Sequence, residues 1–592
     1  MPRPIQIPVK RQQIVQQFNR LMYDGSVLQS QNHVLKAEAK FRLAEQLFPT
    51  HPEPKNRLGL CLYQIKDFRG AVELLTKAIQ INPRNAEYLA NRAASYAELK
   101  QHELAVADCR ASLEINPDQP EAWNNLAMIL TELDRLEEAQ EAMDRYMTYK
   151  GTSSVANFNM GVLLQARGHH EAAIPYYLKT LELDPNGHQG VSARINLANG
   201  YKEMSDWDLA TKWCQEALDL DSRNGDAWNV WGGILKETGK PNKSLDAFNL
   251  AAEFMKEKSE QFVYNRSLSE LLIGRMPQAW MDFEHRWSVI PRAEAFLDRQ
   301  PWQGEPIEDG TIVIHREQGQ GDTIQFCRYI PLIKRANPLC KIIVICEPGL
   351  YDLMETLEGV DEVLRWGNKD DIFNVTYNFH CPMMSLPWAF KTTRDTIPGA
   401  EVVPYFNPYP ERVAEWATRV DGSKINVGLV WSGGFREDQP KMWTTNLRRN
   451  CEFDYFATMV TTVRALRQDV VFHTLQKGDP AEQEFNAYMK ANPGFPIENN
   501  SALLTSWMET AAYIDNLDLV VAVDTSTAHM AGARGKPVLL LNRMDTCWRW
   551  FLRGDTSPWY PGMEIFRQTK PKDWTDVVAR ITEKLVDLPP KV

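Results

Sequence analysis

The chain has 592 residues, room for about four domains of ordinary size. Its 77 acidic and 66 basic residues give a formal charge of −11, which argues against a general nucleic-acid coat. An apolar fraction of 44% and a charged fraction of 24% exclude a disordered chain.

Residues 1–30 read as an N-terminal extension without the apolar core of a secretory signal. Residues 31–290 form a repeat array. Small residues recur at Gly59, Ala93, Ala127, Gly161, Ala198 and Gly232, with spacings of 34, 34, 34, 37 and 34. Twelve residues after each stand Ala71, Ala105, Ala139, Ala173, Ala210 and Ser244. Small side chains at such positions let paired helices approach closely. Two less regular pairs are expected near Leu35–Phe48 and Gln261–Trp287. The pattern resembles the tetratricopeptide repeat, two antiparallel helices per unit. It predicts an all-α solenoid whose groove takes a peptide or another extended partner. A spacer or a self-association surface is the plainer alternative.

Beyond residue 291 the helical period stops. Thr311–His315, Lys341–Cys346, Ile372–Phe379, Ile425–Trp431, Val470–Leu475, Leu519–Val523 and Val538–Leu541 read as strands. Thr323–Ala336, Phe453–Leu466 and Ser506–Asn516 read as helices between them. This alternation predicts parallel sheets in two Rossmann-like halves, residues 291–423 and 424–592. Ligands of such sheets sit beyond the carboxyl ends of the strands.

Two loops there carry candidate chemistry. After the first strand, Gly319 and Gly321 permit close backbone approach, and Asp322 opens a helix. Asp322 is either a helix cap or a carboxylate placed to deprotonate an acceptor hydroxyl. After Leu519–Val523 come Asp524, Thr525, Ser526, Thr527 and His529. A helix beginning there would offer N–H groups and its positive dipole end to a diphosphate. The alternative is a capped helix with His529 as a packing residue. Arg436, Lys441, Arg448, Arg449 and Lys477 supply cations nearby. Asp-x-Asp occurs only in the repeats, at Asp206–Asp208 and Asp219–Asp221, which favours metal-independent chemistry in the second half. Nine cysteines without a Cys-x-x-Cys pair fit a reducing, cytoplasmic setting, and no apolar run is long enough to span a bilayer.

The strings HREQGQGDTIQFCRYIPLI, MSLPWAF, TIPGAEVVPY, VGLVWSGG, TLQKG, DLVVAVDTSTAHMAGARGKPV, WRWFLRGDTSPWYP and IFRQ occur in this order. Together they resemble the heptosyltransferase-like glycosyltransferases (glycosyltransferase family 9), especially members fused to tetratricopeptide repeats. The segments Trp280–Trp287 and Pro301–Gly304 resemble the junction of that fusion type. The resemblance implies a GT-B fold and an inverting, metal-independent transfer from a nucleotide-diphosphate sugar. By the same resemblance, Asp322 matches the general base, Asp524, Thr525, Ser526 and His529 match the donor-phosphate loop, and Gln476 and Lys477 match a donor-side loop. The stretch FREDQPKMWTTNLRRN departs from the family's Asp/Arg-rich segment, so the cation meeting the diphosphate is left open among Lys441, Arg448 and Arg449.

The expected function is therefore sugar transfer to a hydroxyl of a protein, glycan or nucleic-acid acceptor, with the repeats recruiting acceptor or partner. No cofactor beyond the donor is expected. Glycosylation of modified DNA bases and a non-catalytic scaffold are the alternatives. Self-association of the repeats is a further expectation.

Overall fold

The computed structural model describes residues 9–290, 301–368, 372, 374–434 and 443–591. The chain divides into two compact units, Met1–Gly200 and Tyr201–Val592.

The first unit is built of antiparallel helix pairs, beginning with Val9–Ser30 against Val34–Leu47. The segment expected as an extension thus contains the first helix of the first pair. Its reason is Gly25, one repeat length before Gly59: a Cβ there would meet Phe41 Cε1 at 2.5 Å. The same crossing recurs, with Gly59 against Leu75 Cγ at 2.8 Å and Gly161 against Tyr177 Cε1 at 2.6 Å. A glycine lets the facing large side chain fill the interhelix space. Ala71, Ala105, Ala139 and Ala173 are fully buried. Within each pair the chain turns through one left-handed residue, Asn32, Lys66, Lys100, Asp134 or Gly168, with φ between 59° and 77°.

The second unit opens with the same architecture. The helices Trp207–Leu220, Gly225–Glu237, Pro241–Phe254, Ser259–Leu272 and Met276–Phe283 follow one another. Ser205, Gly239 and Gly274 make the left-handed turns. A Cβ at Gly232 would meet Phe248 Cε1 at 2.7 Å. Ser244 takes the usual alanine slot because its hydroxyl is satisfied: it donates to the Gly232 carbonyl at 2.7 Å and lies 2.9 Å from Ser269 Oγ.

Two parallel sheets follow. The first holds β1 (Thr311–His315), β2 (Lys341–Cys346), β3 (Glu362–Arg365) and β4 (Phe379–Pro382) in the order β3-β2-β1-β4. The second holds β5 (Ile425–Val430), β6 (Val470–Thr474), β7 (Ile497–Glu498), β8 (Leu519–Val523), β9 (Val538–Asn542) and β10 (Met563–Arg567). Its order is β10-β9-β8-β5-β6-β7. Both faces of this sheet are covered: Val427, Leu429 and Val521 join one core, and Val430, Val520 and Ala522 join the other.

The fourth strand is displaced from the expected Ile372–Phe379. It begins at Phe379, which pairs with Ile312, while residues 369–371 and 373 lie outside the described residues. The expected helix Thr323–Ala336 is two helices, Gln320–Phe326 and Ile330–Ala336, joined by a tight turn at Cys327–Tyr329. Pro331 has no N–H to continue the first helix and starts the second. β3, β7 and β10 escaped pattern reading because they are short or edge strands.

The last helix pair and the sheets share one core. Trp280 packs edge-on against Trp548, with ring centroids 5.4 Å apart. Arg286 is fully buried and donates to Glu317 through Nε at 2.8 Å and Nη2 at 2.7 Å, and to Ser385 at 2.7 Å. The loop after β1 is therefore braced from the repeat side.

Candidate functional site

A cavity of about 620 Å³ lies beyond the carboxyl ends of β1, β5 and β8. Arg316, residues 318–322 and Glu347 line one side. Gly433, Gly434, Asn446, Arg449, Asp524, Thr525, Ser526 and His529 line the other, with Arg543, Cys547 and Arg549 completing the wall.

Gly319, Gly321 and Asp322 line this cavity together. Gly321 sits where two helices cross: a Cβ on it would lie 3.2 Å from His529 Cδ2 and 3.5 Å from Ser526 Cα. Asp322 is the third residue of the helix Gln320–Phe326, and its Oδ2 accepts from the Gly319 N–H at 2.9 Å. Its Oδ1 pairs with Arg549 Nη2. The carboxylate is both a helix brace and a wall of the cavity.

Thr525 caps the helix Ser526–Ala533, its hydroxyl oxygen facing the Ala528 N–H at 3.4 Å. Asp524 and Ser526 flank it at the cavity. His529 is buried, stacked on Trp550 at 5.2 Å between centroids, with Nδ1 2.9 Å from the Tyr560 hydroxyl. Burial lowers its pKa to about 4, against a smaller opposing pull from Asp524. The ring is neutral at pH 7 and serves as a hydrogen-bonding group.

Four expected residues stand elsewhere. Gln476 is a backbone brace: its Oε1 accepts from the N–H groups of Trp431 at 3.2 Å and Ser432 at 3.0 Å. It is absent from the cavity wall because those amides need an internal acceptor. Lys477 turns to Glu482 and the Ser501 carbonyl, both at 3.1 Å. Thr527 does not line the cavity. Arg448 is buried among three carboxylates, Glu237 at 3.0 Å, Asp545 at 3.1 Å and Glu203 at 3.4 Å. Its neighbour Arg449 lines the cavity, its guanidinium packed on Gly433. Arg436 and Lys441 lie outside the described residues.

Sequence reasoning missed Arg316, Arg543 and Arg549. Arg316 pairs with Glu347 at 2.9 Å, and Glu347 accepts from Thr323 Oγ1 at 3.0 Å. Arg543 pairs with Asp545 at 3.3 Å. Arg549 also donates from Nε to Gln325 Oε1 at 2.8 Å and lies over Trp548, 4.3 Å from its centroid. The signal for Arg549 was its place between two tryptophans in WRW. Among the described residues no group of three or more His, Cys, Asp or Glu is arranged to hold a metal. No described helix is long and apolar enough to cross a membrane.

Tetratricopeptide-repeat models match residues 56–120, 109–141 and 155–186. The array is made of tetratricopeptide repeats. Protein FlbA of Caulobacter vibrioides is 22% identical over 97% of this chain and 92% of its own length. The mouse BBSome complex member BBS4 is 25% identical over 27% of this chain, which spans only 31% of that protein. A tetratricopeptide repeat protein from Parabacteroides merdae aligns with 42% of this chain and 99% of its own, at 18% identity and a TM-score of 0.36. Tetratricopeptide repeats support a role in binding protein partners.

Proposed function

We propose that the α/β part is a GT-B glycosyltransferase, similar to the heptosyltransferase-like family. It transfers a sugar from a nucleotide-diphosphate donor to an acceptor hydroxyl, and the tetratricopeptide repeats hold a protein acceptor or partner. The observation carrying this reading is the single cavity on which Asp322 and the helix start at 525–529 converge, among Arg316, Arg449, Arg543 and Arg549.

In this reading Asp322 takes the proton of the acceptor hydroxyl as that oxygen attacks the anomeric carbon. The bond from that carbon to the diphosphate oxygen breaks, and the leaving charge passes to the N–H groups at the helix start, His529 and the arginines. Arg549 orients the Asp322 carboxylate through their ion pair.

A second reading, a scaffold that binds partners without catalysis, is favoured by one feature. Both Asp322 oxygens are already engaged, by Gly319 and Arg549, as a purely structural brace requires. Thermal stability against a panel of nucleotide sugars separates the two. A donor at 100 times its Kd stabilises by about 2.7 kcal/mol. With such a donor, Asp322→Asn is expected to keep the shift and lose sugar transfer by about a hundredfold or more. A panel that moves nothing favours the scaffold.

A further inference from the structure

We infer that a second cavity, at the turn into the helix Pro241–Phe254, is a docking site for an acidic segment of a partner protein with an apolar flank. The cavity has a volume of about 590 Å³. Lys240, Lys243, Arg394 and Arg553 line it, and its described wall contains no Asp or Glu. All four cations are exposed, and none is matched with a carboxylate among the described residues. In a chain of net charge −11 this is a local reversal of sign. Like charges gathered around one hollow favour an anionic occupant.

The floor is apolar and fixed. Leu272 and Phe551 form part of it, and the Leu552 N–H donates to the Leu272 carbonyl at 3.0 Å. Arg394 lies over the Phe551 ring, 5.0 Å from its centroid. A small free anion would engage one or two of the cations and leave the floor bare. A peptide with several carboxylates and an apolar side chain uses both. Lys240 and Lys243 also line a neighbouring cavity of about 520 Å³ whose wall holds Trp207, Trp228 and Trp231 together with Asp208 and Asp246, and the tryptophans receive the apolar flank.

This site rests on the reading that the chain binds a protein partner. The test pans a display library of random dodecapeptides against the full chain and titrates the recovered peptides by fluorescence anisotropy. Recovered sequences are expected to be rich in Asp and Glu beside aromatic or Leu residues. The triple variant Lys240→Glu/Lys243→Glu/Arg553→Glu is expected to bind them about tenfold or more weakly. Salt raised from about 0.1 M to about 1 M weakens binding further. Lys490→Glu, the same charge change at an exposed lysine elsewhere, leaves binding unchanged. If the triple variant melts early, Lys243→Gln and Arg553→Gln carry the test singly, each weakening binding about threefold. Peptides without acidic bias that bind the triple variant normally overturn this site and leave the partner-binding reading standing. Displacement by inorganic phosphate alone assigns the cavity to a small anion and overturns the peptide. Recovery of no peptide overturns both.

Discussion

The Tyr560 hydroxyl lies 2.9 Å from Nδ1 of His529 and holds the orientation of the ring. Arg328, fully buried, lies over the Tyr560 ring, 4.5 Å from its centroid. With Nδ1 against the phenol, the neutral ring keeps one orientation at the cavity wall. Tyr560→Phe removes that control while keeping the ring packing. The expected result is a folded protein whose donor-induced thermal shift reports about tenfold weaker binding.

The same histidine makes stability depend on pH. Its folded pKa, about 4, is below the ordinary 6.5 of the unfolded chain. His473 behaves alike: burial lowers it to about 4, beside a minor opposing effect of Asp518. Between these values the unfolded chain binds more protons than the folded one. The contribution is whole above about pH 6.5 and is lost as pH falls toward 4, about 3 kcal/mol for each ring. Melting temperature measured across this window should fall steadily, and His529→Gln should flatten the decline.

Adjacent arginines have different tasks. Arg448→Met leaves Glu203, Glu237 and Asp545 without their shared cation. The expected loss of stability is about 3–5 kcal/mol, with any ligand-induced shift preserved. Arg449→Met should do the reverse, keeping the melting temperature and reducing the nucleotide-sugar shift. Denaturant titration with and without ligand reads both quantities.

Arg549→Met separates brace from chemistry. It removes the ion pair of Asp322 and the contact to Gln325. Unfolding should become easier by about 2–4 kcal/mol, measured by urea titration. Arg549→Lys restores charge but not the two-pronged geometry, so partial recovery is expected.

Gly232→Ala tests the repeat crossing. Its new methyl would meet the Phe248 ring at 2.7 Å, and Phe248 is nearly fully buried. Crowding of about 1–3 kcal/mol should outweigh the helical gain of alanine, lowering the melting temperature.

The repeat array was legible because a crossing helix pair demands a small residue at a fixed interval. Gly59, Ala93 and Gly232 show that demand one residue at a time. Gly25 obeyed it too, with Ala37 twelve residues later and Phe41 filling the space, so the pattern begins one unit before the array expected from residue 31. β1, β8 and the helix Phe453–Leu466 were legible as apolar runs of element length, with boundaries matching the structure. β7 was not, since two residues carry no period.

At the cavity, the sequence by itself determined the loops that carry Gly319, Gly321, Asp322 and 524–529, because glycines and capping residues must follow strands at short range. Side-chain partners are another matter. Arg448 and Arg449 are chemically the same and adjacent, yet helical geometry sends one to Glu237 and the other to the cavity. The pairing of Asp322 with Arg549 joins residues 227 positions apart. Only the tertiary structure decided these, because charge pairing depends on distances that local patterning does not encode.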